Sequence, residues 1–127
     1  SLSREAIKNM LENILKELES RDPDIEWSVI ARADGLILAS NIGVDVDRDV
    51  IAAMTASLFN IGARAVKELA RGSIRRVLVE GENGNIIVMN IGGGIILSAV
   101  LKKDANLGLA LLEIERAATA LQDILKG

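Results

Sequence analysis

The chain of 127 residues contains no cysteine, no histidine and no tyrosine. Without cysteine there is no disulfide framework, no thiolate metal site and no cysteine nucleophile. Without histidine the commonest general base and the commonest metal ligand are both gone. Aromatics amount to Trp27 and Phe59 in a chain that is 50% hydrophobic, so the core is built from Ile, Leu, Val, Ala and Met. An excess of positive charge is also lacking, since 15 Lys and Arg stand against 18 Asp and Glu for a net charge of −3. A nucleic-acid binder usually shows a basic footprint and stacking aromatics. Neither is present, and no nucleic-acid partner is expected. No basic-then-apolar leader opens the chain, which leads us to expect a cytoplasmic protein. The remaining Ser, Thr, Lys and carboxylates fall in no recognisable nucleophile–base arrangement, so neither an independent enzyme nor a cofactor is expected.

What is present is a regular alternation of element signals. Ser3 can cap a first helix in which Ile7, Leu11, Ile14, Leu15 and Leu18 recur at helical spacing. Arg21-Asp22-Pro23-Asp24 stops it. The spacing predicts strands over Ile25 to Ala33 and Leu36 to Ser40, joined at the hairpin signal Asp34-Gly35. A loop at 41–46 leads to a second helix from about Asp47 to Ala70, capped by Asp45 or Asp47. Strands follow at Ile74 to Glu80, Asn85 to Ile91 and Ile95 to Leu101, with turns at Asn83-Gly84 and Gly92-Gly93-Gly94. The last helix is capped by Asp104 or Asn106 and buries Leu107, Leu111, Ile114, Ala118, Leu121 and Leu125. The fourth and fifth strands are almost continuously apolar, which implies helices on both sides of the sheet. Hairpins between successive strands make that sheet largely antiparallel. No linker or repeat divides the chain, so one domain over residues 1–127 is expected.

Four motifs invite chemistry and each has a plainer reading. Asp45-Val46-Asp47-Arg48-Asp49 resembles the start of a calcium loop, but Val50 stands where glycine is needed and Ala56 where glutamate is needed. Helix capping explains the three acids. Gly92-Gly93-Gly94 is followed by a strand and lacks the Lys-Ser/Thr pair of a phosphate loop, so it is a strand connection. Glu80 with Glu82 and Glu113 with Glu115 are paired carboxylates, expected beside a hairpin and on a solvated helix side. Arg64, Lys67, Arg71, Arg75 and Arg76 concentrate positive charge near the end of the second helix, which suits helix C-terminal complementarity and edge-strand protection. No metal site is expected from any of these.

The stretch Val50 to Ala63, VIAAMTASLFNIGA, carries no charge. It is too short for a bilayer, which needs about 20 apolar residues, so no membrane insertion is expected. At about 100° per residue, Val50, Ile51, Met54, Leu58, Ile61, Ala65 and Leu69 share one broad face, which size assigns to the core. The opposite face holds Ala52, Ala53, Ala56, Ser57, Asn60 and Ala63, with Arg64, Lys67 and Asp49 framing it. Small side chains without Lys or Glu suit close approach by another protein.

Asp34-Gly35-Leu36-Ile37-Leu38-Ala39-Ser40, Ala52-Ala53-Met54-Thr55-Ala56-Ser57-Leu58 and Ala105-Asn106-Leu107-Gly108-Leu109-Ala110-Leu111-Leu112-Glu113, in that order, make the chain similar to the roadblock/dynein light chain family, in particular its MglB-type prokaryotic members. The likeness spans nearly the whole chain. It implies a three-layer α/β/α sandwich of profilin-like type: a five-stranded antiparallel sheet with the second helix on one face and the first and third on the other. It also implies a homodimer through the third strand, where Arg75, Val77 and Val79 lie, and through the second helix. The partner it implies is a small Ras-like GTPase, on which MglB-type dimers act as activators by reshaping the GTPase's own site without inserting an arginine. A structural light-chain adaptor that grips a peptide or larger assembly, and a small-molecule sensor, are the alternatives. The sensor is chemically weaker because the expected interior offers few polar groups to orient a ligand.

Overall fold

A computed structural model describes residues 3–43 and 45–126; Val44, in the 41–46 connection, lies outside them. The elements run α1 (Arg4–Arg21), β1 (Ile25–Arg32), β2 (Ile37–Asn41), α2 (Arg48–Glu68), β3 (Arg76–Gly81), β4 (Gly84–Gly92), β5 (Ile95–Lys102) and α3 (Leu107–Lys126). The five strands form one sheet in the order β2-β1-β5-β4-β3, and every neighbouring pair is antiparallel.

Each helix begins where a side chain can accept a backbone N–H that the helix cannot satisfy. Ser3 Oγ accepts from Ala6 N at 3.1 Å, Asp47 from Asp49 N and Val50 N, and Asn106 Oδ1 from Leu109 N at 3.1 Å. Of the offered pairs, Asp47 rather than Asp45 and Asn106 rather than Asp104 do the capping. At the other end of α1, buried Asp22 turns the chain by accepting Asp24 N at 3.0 Å.

The apolar runs of β4 and β5 are covered throughout by α1 and α3 on one side and in part by α2 on the other. Against α1 and α3 lie Ile30, Ile87, Leu97 and Leu101, packed on Leu11, Leu15, Leu18, Ile114 and Leu121. Against α2 lie Val29, Ala31, Val88 and Ile96. Two expected details differ. β3 begins at Arg76 because Ile74 leaves the ladder: its carbonyl accepts Asn90 Nδ2 at 3.0 Å. Leu125, expected in the buried stripe of α3, is exposed in the helix's final turn. The triple-glycine connection is a tight β4–β5 turn whose three residues all have positive φ, at 101°, 63° and 78°.

Candidate functional site: the outer face of α2 and the edge of β3

The faces of α2 are reversed relative to the assignment by size. Ala52, Thr55, Ala56 and Phe59 are buried against the sheet, and Ala63 is half-buried beside them. Val50, Met54, Ile61 and Leu69, expected in the core, are 50%, 51%, 69% and 69% exposed. The reason is volume matching across the layer. The sheet already presents Val29, Val88 and Ile96 to α2, and large residues pack best against small ones on the facing element. Two alanines bring the helix close, and Phe59 fills the remaining width. Thr55 would be a costly polar atom at this depth, but its hydroxyl donates to Ile51 O at 3.0 Å and can reach Ala52 O at 3.2 Å. Both sides of the helix are apolar, so periodicity alone could not choose between them.

Consequently Ala52 and Ala56 belong to the chain's own core and are not available to a partner. Ala53, Ser57, Asn60, Arg64 and Lys67 are exposed along one flank of the outer face. Asn60 Nδ2 donates to Ala33 O at 2.8 Å and so ties α2 to the end of β1. Arg64 pairs with Glu68 at 3.5 Å in a fully solvated setting worth little to stability.

The other flank is apolar. A groove of about 430 Å³ runs beside α2, with Met54, Leu58 and Ile61 on the helix side and Trp27, Val100 and Ile86 on its floor. The floor is a continuous row, because Trp27 pairs with Val100, Val100 with Ile86, and Ile86 with Val79 of the edge strand. α2 stands over the opposite end of the sheet and leaves this row open. A Cβ on Gly62 would come within 2.8 Å of Val77 Cγ2 and 2.9 Å of Ile74 Cδ1, so glycine lets α2 touch β3 there. Beyond that contact Arg64, Ala65, Lys67 and Glu68 are exposed.

The remaining candidates separate from this surface. Glu80 and Glu82 are exposed beside the β3–β4 turn. Glu113, expected on a solvated helix side, is buried between α1 and α3, where small Ala117 leaves room for it and Arg116 stands 3.5 Å from its Oε2. Glu115 is exposed and bound to Arg76 at 3.0 Å. Sequence reasoning also passed over Glu19, which accepts Ser28 Oγ–H at 2.6 Å. Burial pushes its carboxyl above the usual range, and hydrogen bonds from Ser28 and Asn41 oppose the rise. Among the described residues, no three His, Cys, Asp or Glu converge as metal ligands.

The Roadblock/LC7 domain family matches residues 10–102. The chain belongs to the roadblock family. It is 30% identical over 113 residues to the uncharacterized protein MJ0310 of Methanocaldococcus jannaschii, covering 89% of this chain and 97% of that one. Its fold is that of Myxococcus xanthus MglB, with a TM-score of 0.87 at 18% identity over 94% of this chain and 90% of the other. An MglB solved in a tetrameric arrangement gives 0.84 at 22% identity, covering 95% of this chain and 91% of that one. The roadblock domain thus has the three-layer architecture of the MglB-type members. Among the described residues, no helix is long and apolar enough to cross a membrane.

Proposed function

We propose that this chain is a homodimeric regulator that binds a small Ras-like GTPase and stimulates its GTP hydrolysis. The observation that carries the reading is the pairing of an outward apolar ridge on α2 with an open apolar row on the sheet beneath it. Val50, Met54 and Ile61, half or more exposed on one helix, together with Leu69 at its C-cap, exceed the scattered apolar residues of an ordinary surface. A second copy supplies the matching shape. α2 has 21 residues, about 31 Å at 1.5 Å each, whereas five strands at about 4.8 Å spacing separate the outer strands by about 19 Å. Laid across the sheet toward β3, the helix has length to spare for a neighbour's open row, and the neighbour's helix returns the contact.

The dimer then offers a joint surface built from the outer flanks of both α2 helices, with Ala53, Ser57, Asn60, Arg64 and Lys67 on each. That surface is small, polar and positively framed, and it is where the GTPase is proposed to dock. The chain itself supplies no nucleophile or base. Its effect on hydrolysis is to hold the GTPase's own catalytic loops in place, which is a positioning effect.

The test is to incubate the protein with a GTP-loaded small GTPase of the same genome and measure complex formation and phosphate release. A stable complex with faster release supports the proposal. Absence of both contradicts it. A complex without faster release leaves a scaffold in place of an activator.

A further inference from the structure

The free edge of β3 is ordered in a way that specifies its occupant. Asn90 N–H donates to Arg75 O at 2.9 Å, so the backbone of residue 75 faces β4. The β3–β4 register then runs without irregularity from Arg76 opposite Met89 to Gly81 opposite Gly84. Antiparallel ladders alternate bonded and non-bonded pairs. Val77, Val79 and Gly81 therefore also turn their backbone groups toward β4, and Arg76, Leu78 and Glu80 turn theirs outward, where no strand follows among the described residues. The side chains of these same three residues lie on the α1/α3 face. Arg76 reaches Glu115 of α3, and Leu78 is 41% exposed.

We infer that two copies of this chain join antiparallel along β3 about a two-fold axis through Leu78, so that Arg76 of each copy meets the partner's Glu80. This rests on the homodimer proposed above and specifies its register. A two-fold axis perpendicular to the sheet keeps both α2 helices on one side, and it must pass through a residue so that like faces adjoin. An axis at Val77 sets Arg76 against the partner's Leu78 and Glu80 against the partner's Ile74. An axis at Val79 sets Leu78 against the partner's Glu80 and Arg76 against the partner's Glu82 in the turn. Axes at Arg76 or Glu80 oppose like charges, which is destabilising. Only the axis at Leu78 maps the three outward residues onto one another. It gives every outward N–H and C=O of this set a partner, places leucine on leucine, and leaves Val77 beside the partner's Val79 under the α2 helices. Each Arg76 guanidinium has donors enough to keep Glu115 while taking the partner's Glu80. The Arg-x-Leu-x-Glu pattern is thus a self-recognition code, and a roadblock chain with other charges at these two positions is disfavoured as a partner.

The test uses Arg76→Glu and Glu80→Arg, separately, as an equimolar mixture, and combined in one chain, with self-association measured by analytical ultracentrifugation. Each single variant sets like charges opposite one another twice, and its dimer dissociation constant is expected to rise on the order of tenfold. The mixture restores both pairs across the two chains, and the combined variant restores both within a homodimer, so each is expected to return to the wild-type constant. Losing the Arg76–Glu115 bridge cannot mimic this, because Glu80→Arg in the other chain does not rebuild it. Single variants that associate like wild type, or a mixture showing no preference for the mixed dimer, would overturn the register while leaving the dimer standing. A wild-type chain that sediments at single-chain mass would remove the dimer itself and the register with it.

Discussion

Ala56 and Ile61 lie five residues apart on one helix, yet a glutamate should act on them in opposite ways. Ala56 is 4% exposed against Val29, Val88 and Ile96. Ala56→Glu forces an unpaired carboxylate into that layer, and a loss of about 4 kcal/mol or more is expected from chemical denaturation. It reports on folding and says nothing about a partner. Ile61 is 69% exposed, so Ile61→Glu should leave the unfolding free energy of the isolated chain within about 0.5 kcal/mol of wild type while weakening self-association. Glu19 gives a third residue-scale expectation. Its carboxyl is raised above the usual range in the folded state, chiefly by burial, so folded protein binds more protons than unfolded protein between the usual and the raised value. Stability therefore falls as pH climbs through that window. Glu19→Gln removes the titration but keeps an oxygen for Ser28. Its stability relative to wild type should rise from acid pH toward neutrality, and urea melts across that range would show it. A difference independent of pH would mean that folding leaves the Glu19 carboxyl unperturbed.

The element scale shows what the sequence could and could not carry. Caps, hairpin dipeptides and apolar runs act locally, so Ser3 and Asp34-Gly35 mark their elements, Asn83-Gly84 marks a hairpin whose turn is Glu82-Asn83 with Gly84 already in β4, and unbroken apolarity marks helices on both sides of β4 and β5. The orientation of α2 was not legible in the same way. A helix with apolar residues on two opposite sides is oriented by the layer it meets, and that layer is assembled from strands that precede and follow it in the chain, with Val29 and Val88 among its residues. Ranking the two faces by size chose the wrong one because the bulk needed between α2 and the sheet was already on the sheet. Glu113 was misread for a related reason: its burial depends on α1 packing alongside α3, a contact between the two ends of the chain. The β3–β4 hairpin carries its own prediction. Gly84 has φ of +145°, and a Cβ there would stand 2.2 Å from Leu101 O on the neighbouring strand. Gly84→Ala should cost at least about 2 kcal/mol in thermal or chemical unfolding. A change smaller than a few tenths would show that the hairpin relaxes freely.

At the scale of the whole molecule, the protein is finished on the α1/α3 side and unfinished on the α2 side. Among the described residues the sheet has two free edges, the Trp27–Val100–Ile86–Val79 row is only partly buried, and the ridge of α2 faces outward. One protomer cannot correct this, since its single helix on that side is already committed to the other end of the sheet. A symmetric partner can, because each copy's ridge meets the other's row and the contact closes on itself. The flanks carrying Asn60, Arg64 and Lys67 would then be adjacent parts of the one surface on which the proposed GTPase docks. The most direct measurement is the sedimentation mass of wild type and Ile61→Glu at the same micromolar concentrations. Twice the chain mass is expected for wild type, and a shift toward single-chain mass for the folded variant. Equal masses for the two proteins, whether both single or both double, would contradict it.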